Sequence, residues 1–467
     1  MKKLSLVMAA ILVLFIVFPA FVAGGGQQSA SDVKRMSYTF WGSDLERNAQ
    51  NAAVAAFNQQ NPGIIVEPMH IPSAGNEYTI RVTAMVNAGN APDVGYLAAG
   101  LSFVWAREGR LYNIFDFLDK DPEYSRNTYV DNIYYYFAEG KSHGTTSTIN
   151  SMGIFYSKPA FDTAGLPYPP VDPANAWTWE QFIDVAQTLT LDMQGRNAKD
   201  PNFNRNQIRQ YGVLITPNYA PQLMNFLDMN GADLLTPDGS RLALDTPEAM
   251  DTLQKLSDLI NKYYVCPAPT AASEIGETPQ ALLGRRAAMS ISGPWHLLDL
   301  PQVVGTNWGI GALPKLKEYR NVIFAGIRCI FTDTKYPQES WELFKFLQNP
   351  SGAMSLYQNG LWQPVLKEWY DNPSLYNQWA GPGNPARPSP GFKEVFVDHL
   401  FQGLSTPDWT LRINNSNDIL AAVNAALDPL WLGTQTVDEA VRNATQQVNP
   451  IVQGFNPNTY HASRYRR

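Results

Sequence analysis

Two tryptophans beside glycine turns have the residue type and position to bind a ligand. Trp41 follows a predicted strand at residues 36–40 and precedes Gly42, and Trp295 follows a second predicted strand at 287–291 through a Ser-Gly-Pro turn. In open α/β sheets, ligands bind outside the carboxyl ends of the strands. An indole face packs on the apolar C–H face of a sugar ring, while polar side chains bind its hydroxyls. The pattern indicates a carbohydrate site, with core packing of each tryptophan as the alternative.

Patterns that perform catalysis or bind metal are not prominent in this chain. H-E-x-x-H and the phosphate-cradling G-x-x-x-x-G-K do not occur, and the five histidines lack the spacing of a ligand pair. We also expect no serine nucleophile on a strand-to-helix turn. Paired carboxylates of a glycosidase need not be close in sequence, so an exported glycosidase stays open as an alternative. We predict a protein that is not an enzyme, with no metal and no cofactor.

The first 25 residues have the pattern of a secretory signal peptide. Lys2 and Lys3 precede an almost unbroken apolar run at residues 4–18, and the small residues Ala20, Ala23 and Gly24 to Gly26 follow. The run is short for a membrane span, which takes about 20 residues, and a retained anchor is the alternative. No cysteine lies near the expected cleavage site. We therefore expect an exported, soluble, periplasmic or extracytoplasmic protein.

Composition limits the remaining possibilities. The chain has 35 basic and 42 acidic side chains, a formal net charge of −7, which argues against nucleic acid as a partner. The length after cleavage allows two or three domains. The only two cysteines are Cys266 and Cys329, and two buried thiols are a simpler interpretation than a disulfide.

Strands and helices alternate along the chain, which predicts an α/β fold with mostly parallel sheets. The first strand leads into a helix with a capping-box pattern, Ser43-x-x-Glu46, and a second strand follows at 64–66. A further strand is predicted at 322–331, interrupted by Gly326. Trp105, Trp179 and Trp341 lie inside amphipathic helices and are assigned to the core.

Segments spread over most of the chain resemble the family 1 extracellular solute-binding proteins, the sugar-binding subunits of ABC importers, to whose wider group maltose-binding protein belongs. The matching segments are FWGSD (40–44), AAFNQQNPGIIVE (55–67), AGNAPDV (88–94), GIFYSKPAFDTAGLPYPP (153–170), WTWEQFIDVAQTL (177–189), GRRAAMSISGPW (284–295), GIGALP (309–314), QESWELFKFLQNP (338–350) and TVDEAVRNATQQVN (436–449). Each is weak alone, but their order and spacing together are specific. The chain departs from the family at Tyr156-Ser157-Lys158, where Tyr-Asn-Lys is usual.

The resemblance implies two α/β lobes that close over a ligand between them. Lobe 1 would comprise residues 32–146 and 322–366, and lobe 2 residues 147–321 and 367–467. Crossings near 147 and 322 would form the hinge. The implied partners are a small carbohydrate and the permease of an ABC importer, and the protein would be a monomer.

Candidate ligand-binding residues follow from position within this resemblance. They are Trp41, Gly42, Ser43, Glu46, Asp93, Asn150, Gly293, Trp295, Gly326, Trp362 and Arg387. For Asp93 the alternative is a turn cap, and for Glu46 it is the capping box. Other ligands remain open: a polyamine would suit an acidic aromatic site, whereas a sugar phosphate is disfavoured by the acidic start of the first helix.

Overall fold

The protein is described by a computed structural model over residues 33–72, 77–130 and 133–456. The predicted signal peptide and the predicted tail beyond residue 456 lie outside these ranges. The strands are β1 (Lys34–Phe40), β2 (Ile64–His70), β3 (Val94–Leu97), β4 (Tyr134–Ala138), β5 (Lys141–Thr146), β6 (Gly153–Ser157), β7 (Leu191–Asp192), β8 (Ile208–Leu214), β9 (Ala287–Ser292), β10 (Trp308–Gly311), β11 (Asn321–Ile323), β12 (Ile327–Ile330) and β13 (Ser405–Pro407).

The helices flank these strands throughout. They are α1 (Asp44–Gln60), α2 (Glu77–Asn87), α3 (Ala99–Arg107), α4 (Phe115–Leu118), α5 (Lys158–Ala164), α6 (Trp179–Leu189), α7 (Ala220–Met229), α8 (Pro247–Asn261), α9 (Pro269–Ile275), α10 (Thr278–Leu283), α11 (Leu300–Val303), α12 (Pro337–Gln348), α13 (Pro350–Gln358), α14 (Glu368–Asp371), α15 (Pro373–Ala380), α16 (Phe392–Phe396), α17 (Asp398–Phe401), α18 (Trp409–Arg412), α19 (Ser416–Trp431) and α20 (Val437–Val448). Within the described ranges, none is long and apolar enough to cross a membrane.

Two large sheets form the centres of two lobes. The first has the strand order β2-β1-β3-β12-β5-β4 and the second the order β10-β6-β9-β8-β7. Tyr38 and Phe40 of β1 are fully buried, because this strand lies between two neighbours and under helices. A two-stranded parallel sheet of β11 and β13 lies beside them.

The sheets are more antiparallel than the sequence predicts. β1 pairs in parallel with β2 and β3, as the β-α-β pattern requires, but β12 is antiparallel to both β3 and β5. In the second sheet only β8 and β9 form a parallel pair. Strands that enter a sheet from the other lobe need no right-handed crossover within that sheet, so the β-α-β rule does not fix their direction.

The predicted strand at 322–331 is divided between two sheets. β11 and β12 are separated by residues 324–326, and this segment lies antiparallel to the segment after β5. Asn150 and Phe324 exchange backbone hydrogen bonds of 3.1 Å, and the Ser147 amide donates to the Gly326 carbonyl at 3.0 Å. The chain thus passes between the two large sheets twice, along two hydrogen-bonded segments. A third segment joins them there, because the Gln363 amide donates to the Thr148 hydroxyl at 2.8 Å.

Several packing predictions are confirmed. Trp105, Trp179 and Trp341 are buried. Helix α6 begins with the predicted capping box between Thr178 and Gln181. Cys266 and Cys329 are buried free thiols.

Candidate functional site

A cavity of about 700 Å³ lies between the two sheets, against the crossing segments. This volume is in the range of small-molecule sites. The lining residues are Trp41, Gly42, Ser43, Glu46, Pro72, Tyr96, Ala98, Ser147, Thr148, Asn150, Tyr219, Glu277, Trp295, Leu298, Asp299, Phe324, Ala325, Gly326, Leu361 and Trp362. Eight of the eleven residues predicted from the sequence are among them.

Trp41 is fixed by aromatic neighbours of its own sheet. Its ring contacts Tyr78 and Tyr96 edge-to-face, with centroid distances of 4.9 and 5.0 Å. Its outer edge lies on Gly326, where an added Cβ would be 2.6 Å from the indole. The side chain is only half-buried. Trp41 therefore presents part of a preoriented aromatic surface to the cavity.

Trp295 is fixed from the second sheet in a comparable way. Its ring lies over Gly293, where a Cβ would be 1.8 Å from the indole, and it contacts Phe324 edge-to-face at 6.0 Å. The indole nitrogen donates to Nε2 of His296 at 3.0 Å. Burial lowers the pKa of His296 to about 3, so the imidazole is neutral and able to accept this bond. Gly293 does not line the cavity itself but permits the position of the ring.

Two carboxyl groups approach each other from opposite lobes. Desolvation, and secondarily the charge of Asp299, raise the pKa of Glu46 to about 8, although the Ser43 amide opposes the rise. Desolvation, and secondarily Glu277, raise the pKa of Asp299 to about 6. A hydrogen bond from the Ser43 side chain to Asp299 opposes this rise and connects the lobes. Both carboxyl groups are half-buried at the cavity wall.

Helix α1 supplies Glu46 to the cavity through a local turn. The Ser43 hydroxyl accepts from the Glu46 amide at 3.2 Å, as the capping pattern predicts. Gly42 has a φ of +136°, and a Cβ there would be 1.8 Å from Glu46 Oε2. Only glycine adopts this backbone without strain and leaves room for the carboxyl group.

Asn150 also lines the cavity. Its Oδ1 is buried and has no hydrogen-bond partner within the described part of the protein. A buried polar atom without a partner is unfavourable unless something else binds it.

The structure does not bring Asp93 to the cavity. Asp93 precedes β3, at the end of that strand opposite Tyr96 and Leu97. Its carboxylate accepts from the Ser37 amide at 2.7 Å and from the Thr334 hydroxyl at 2.5 Å. These bonds give Asp93 a structural role, which resembles the alternative of a turn cap more than that of a ligand-binding residue.

Arg387 likewise lies behind the cavity wall. It is buried, and its guanidinium donates to the carbonyls of Tyr357, Gly360 and Trp362 at 2.7–3.1 Å. Burial lowers its pKa to about 9. Arg387 thereby holds the turn that places Trp362, which does line the cavity, although only 2 % of Trp362 is exposed.

Lining residues that are not among the candidates from the sequence include Tyr219, Glu277, Asp299 and Phe324. Asp299 lies four residues after Trp295, which is about one helical turn. This spacing was a signal in the sequence that could have identified Asp299. Glu277 precedes α10, and nothing in its local pattern distinguishes it from other surface acids. A second cavity of about 450 Å³ shares Tyr219, Glu277 and Trp295, so the space continues past Trp295.

A G-x-S-x-G pattern does occur, at residues 140–144, but in a different context from a hydrolase elbow. Ser142 is buried in β5, paired with β4, and its hydroxyl donates to the Tyr135 and Gly144 carbonyls at 3.1 and 2.8 Å. No group of three potential metal ligands is found among the described residues.

The known proteins that this chain resembles are solute-binding proteins. The family model of bacterial extracellular solute-binding proteins matches residues 52–382. The sn-glycerol-3-phosphate-binding periplasmic protein UgpB of Pectobacterium atrosepticum is 22 % identical over 457 residues, 93 % of this chain and 94 % of that protein. UgpB of Escherichia coli K12 is 22 % identical over 432 residues, 86 % of this chain and 89 % of that protein.

Solved structures show the same fold. An ABC substrate-binding protein of Listeria monocytogenes in complex with cycloalternan superposes with a TM-score of 0.75 and 20 % identity, covering 90 % of this chain and 99 % of that one. A solute-binding protein of Thermotoga lettingae bound with α-D-tagatose gives 0.71 and 21 %, covering 90 % and 99 %. With the family model matching well over half of its length, the chain belongs to the bacterial extracellular solute-binding proteins.

Proposed function

We propose that the protein captures a carbohydrate in this cavity and delivers it to the permease of an ABC importer. The observation that carries the proposal is the pair of tryptophans, Trp41 from the first sheet and Trp295 from the second, on the wall of one cavity. Aromatic faces with acceptors between them match a ring that has apolar faces and a rim of hydroxyl donors.

The relatives allow more than one ligand class. The structures from Listeria and Thermotoga hold sugars, while the UgpB proteins are named for sn-glycerol 3-phosphate. Among the described residues, the cavity lining contains three carboxyl side chains and no Lys, Arg or His. Phosphate binding needs cationic side chains or free helix N-termini. The lining therefore favours a sugar over a sugar phosphate.

Delivery requires that the ligand change the shape of the protein. We assign residues 32–146 and 322–366 to lobe 1 and residues 147–321 and 367–467 to lobe 2, with the hydrogen-bonded crossings between them as the hinge. A ligand favours closure only if it contacts both lobes, and the cavity offers it both. The proposal includes cleavage of residues 1–25, export of a soluble monomer and recognition of the closed form by the permease.

Thermal unfolding against a ligand panel tests the proposal. The panel contains neutral mono- and oligosaccharides, sugar phosphates including sn-glycerol 3-phosphate, and polyamines. A sugar present at 100 times its Kd should stabilise the folded protein by about 2.7 kcal/mol and be recovered unchanged. Stabilisation by the phosphates alone would contradict the proposal, and turnover of the sugar would favour an exported glycosidase.

A further inference from the structure

The cavity combines negative charge with unused hydrogen-bond acceptors. Glu46 comes from lobe 1, and Glu277 and Asp299 come from lobe 2. The buried Oδ1 of Asn150 adds an acceptor with no partner within the described residues. A ligand that donates hydrogen bonds would satisfy these groups, whereas one that only accepts would not.

The carboxyl groups are close enough to influence one another. Asp299 acts on Glu46, and Glu277 acts on Asp299, in each case by charge repulsion added to desolvation. Ser43 contributes one hydroxyl and one amide to this cluster, which cannot neutralise its charge. An ordinary hydroxyl donor on a neutral ligand leaves the same repulsion in place.

One cation, Arg328, lies behind the cavity wall rather than on it. Arg328 is fully buried behind the wall, with its guanidinium 4.7 Å from the Trp362 centroid and 5.7 Å from that of Tyr96. Both rings line the cavity, but Arg328 does not. Among the described residues, the lining therefore offers a ligand three acidic side chains and no cationic one.

We infer that the bound sugar carries a protonated amine, and that Glu46 and Asp299 hold this group between the lobes. The inference rests on the proposed carbohydrate function and narrows its ligand to an amino sugar. An ammonium group has three donors and a positive charge, so it can bind both carboxylates and remove their repulsion. The aromatic surfaces around it add cation–π attraction and accept the rest of the ring.

The test compares pairs of ligands that differ in one group. Isothermal titration at pH 7.0 measures Kd for glucosamine, galactosamine, mannosamine and β-1,4-linked glucosamine oligomers against the neutral sugars of the same ring and length. The best amino sugar should bind about tenfold or more tighter than its neutral partner, since a charge-assisted hydrogen bond replaces a neutral one. Binding should also release protons, measured in buffers of different ionisation enthalpy.

Glu46→Gln and Asp299→Asn keep the shape of each side chain and remove its charge. Each should weaken the amino sugar about tenfold and its neutral partner much less. Glu274→Gln is the matched control, because Glu274 is exposed on α9 and does not line the cavity. Thermal unfolding without ligand verifies that all variants fold.

The possible outcomes separate this inference from the function it rests on. Neutral sugars that bind as tightly as the amino sugars, with equal losses in the variants, would overturn the inference and leave the carbohydrate function intact. Binding of spermidine in preference to every sugar would instead overturn the carbohydrate function. A panel in which no sugar binds would overturn both.

Discussion

The two cavity tryptophans are held in place by protein contacts rather than by a ligand. Trp41 lies between Tyr78, Tyr96 and the backbone of Gly326, and Trp295 is hydrogen-bonded to His296. Rings that are already oriented lose little rotational freedom when a ligand arrives. Each tryptophan should therefore contribute strongly to affinity.

Replacing either ring by alanine tests this contribution. We expect Trp41→Ala and Trp295→Ala each to lower sugar affinity by about 2 kcal/mol, roughly 30-fold, as found for aromatic anchors in other sites. Phe401→Ala is the control, because Phe401 is 54 % exposed and lies outside the cavity. Titration calorimetry measures Kd, and circular dichroism verifies folding. Unchanged affinity in both folded variants would show that the ligand binds elsewhere.

For single residues, the sequence predicted positions on the cavity wall where the relevant contacts are local. Strand end, glycine and tryptophan occur together in the chain, so Trp41 and Trp295 could be selected. Asp93 could not be judged that way, because its partner Thr334 is 241 positions away. Arg387 was selected for its charge, although that charge binds three carbonyls behind the wall.

Among the elements, the crossing segment between β11 and β12 leaves little room for a larger side chain at Gly326. The glycine at 326 was predicted to interrupt one strand, and it separates two strands of different sheets. The α/β alternation was also predictable from hydrophobic periodicity, because each helix buries one face on a sheet. The direction of a strand that follows a crossing was not predictable from the sequence, because it depends on which lobe the chain has just left.

A methyl group at Gly326 should act through Trp41. The added Cβ would lie 2.6 Å from the indole, and Tyr78 and Tyr96 restrict its retreat. We expect Gly326→Ala to cost about 1–3 kcal/mol in stability and to weaken sugar binding. Gly63→Ala is the matched control, because a Cβ there meets nothing within 4 Å. Chemical denaturation and calorimetry measure both quantities; equal behaviour of the two variants would contradict the proposed contact.

For the whole molecule, the balance between open and closed lobes depends on groups that meet only in the closed form. In the proposed division of the chain Glu46 and Asp299 belong to opposite lobes. Desolvation, and secondarily the charge of Asp299, raise the pKa of Glu46. Opening would hydrate both carboxyl groups and return their pKa values toward the ordinary range. The closed form therefore binds more protons than the open form between about pH 4 and pH 8.

This difference predicts that the unliganded protein opens as pH rises. The raised pKa values, about 8 for Glu46 and about 6 for Asp299, mean that closure is most favourable below the ordinary carboxyl pKa. That advantage is lost progressively as pH rises from about 4 to about 8. Because both groups are half-buried and partly screened, we expect a change of about 1 kcal/mol.

Small-angle X-ray scattering without ligand measures this opening as an increase in the radius of gyration between pH 5 and pH 9. The double variant Glu46→Gln, Asp299→Asn should have a radius that does not change over this range, because neither side chain titrates. If the double variant expands as much as the original protein, other groups control the lobes. If neither expands, the repulsion is too weak to move the hinge, and closure depends on the ligand alone.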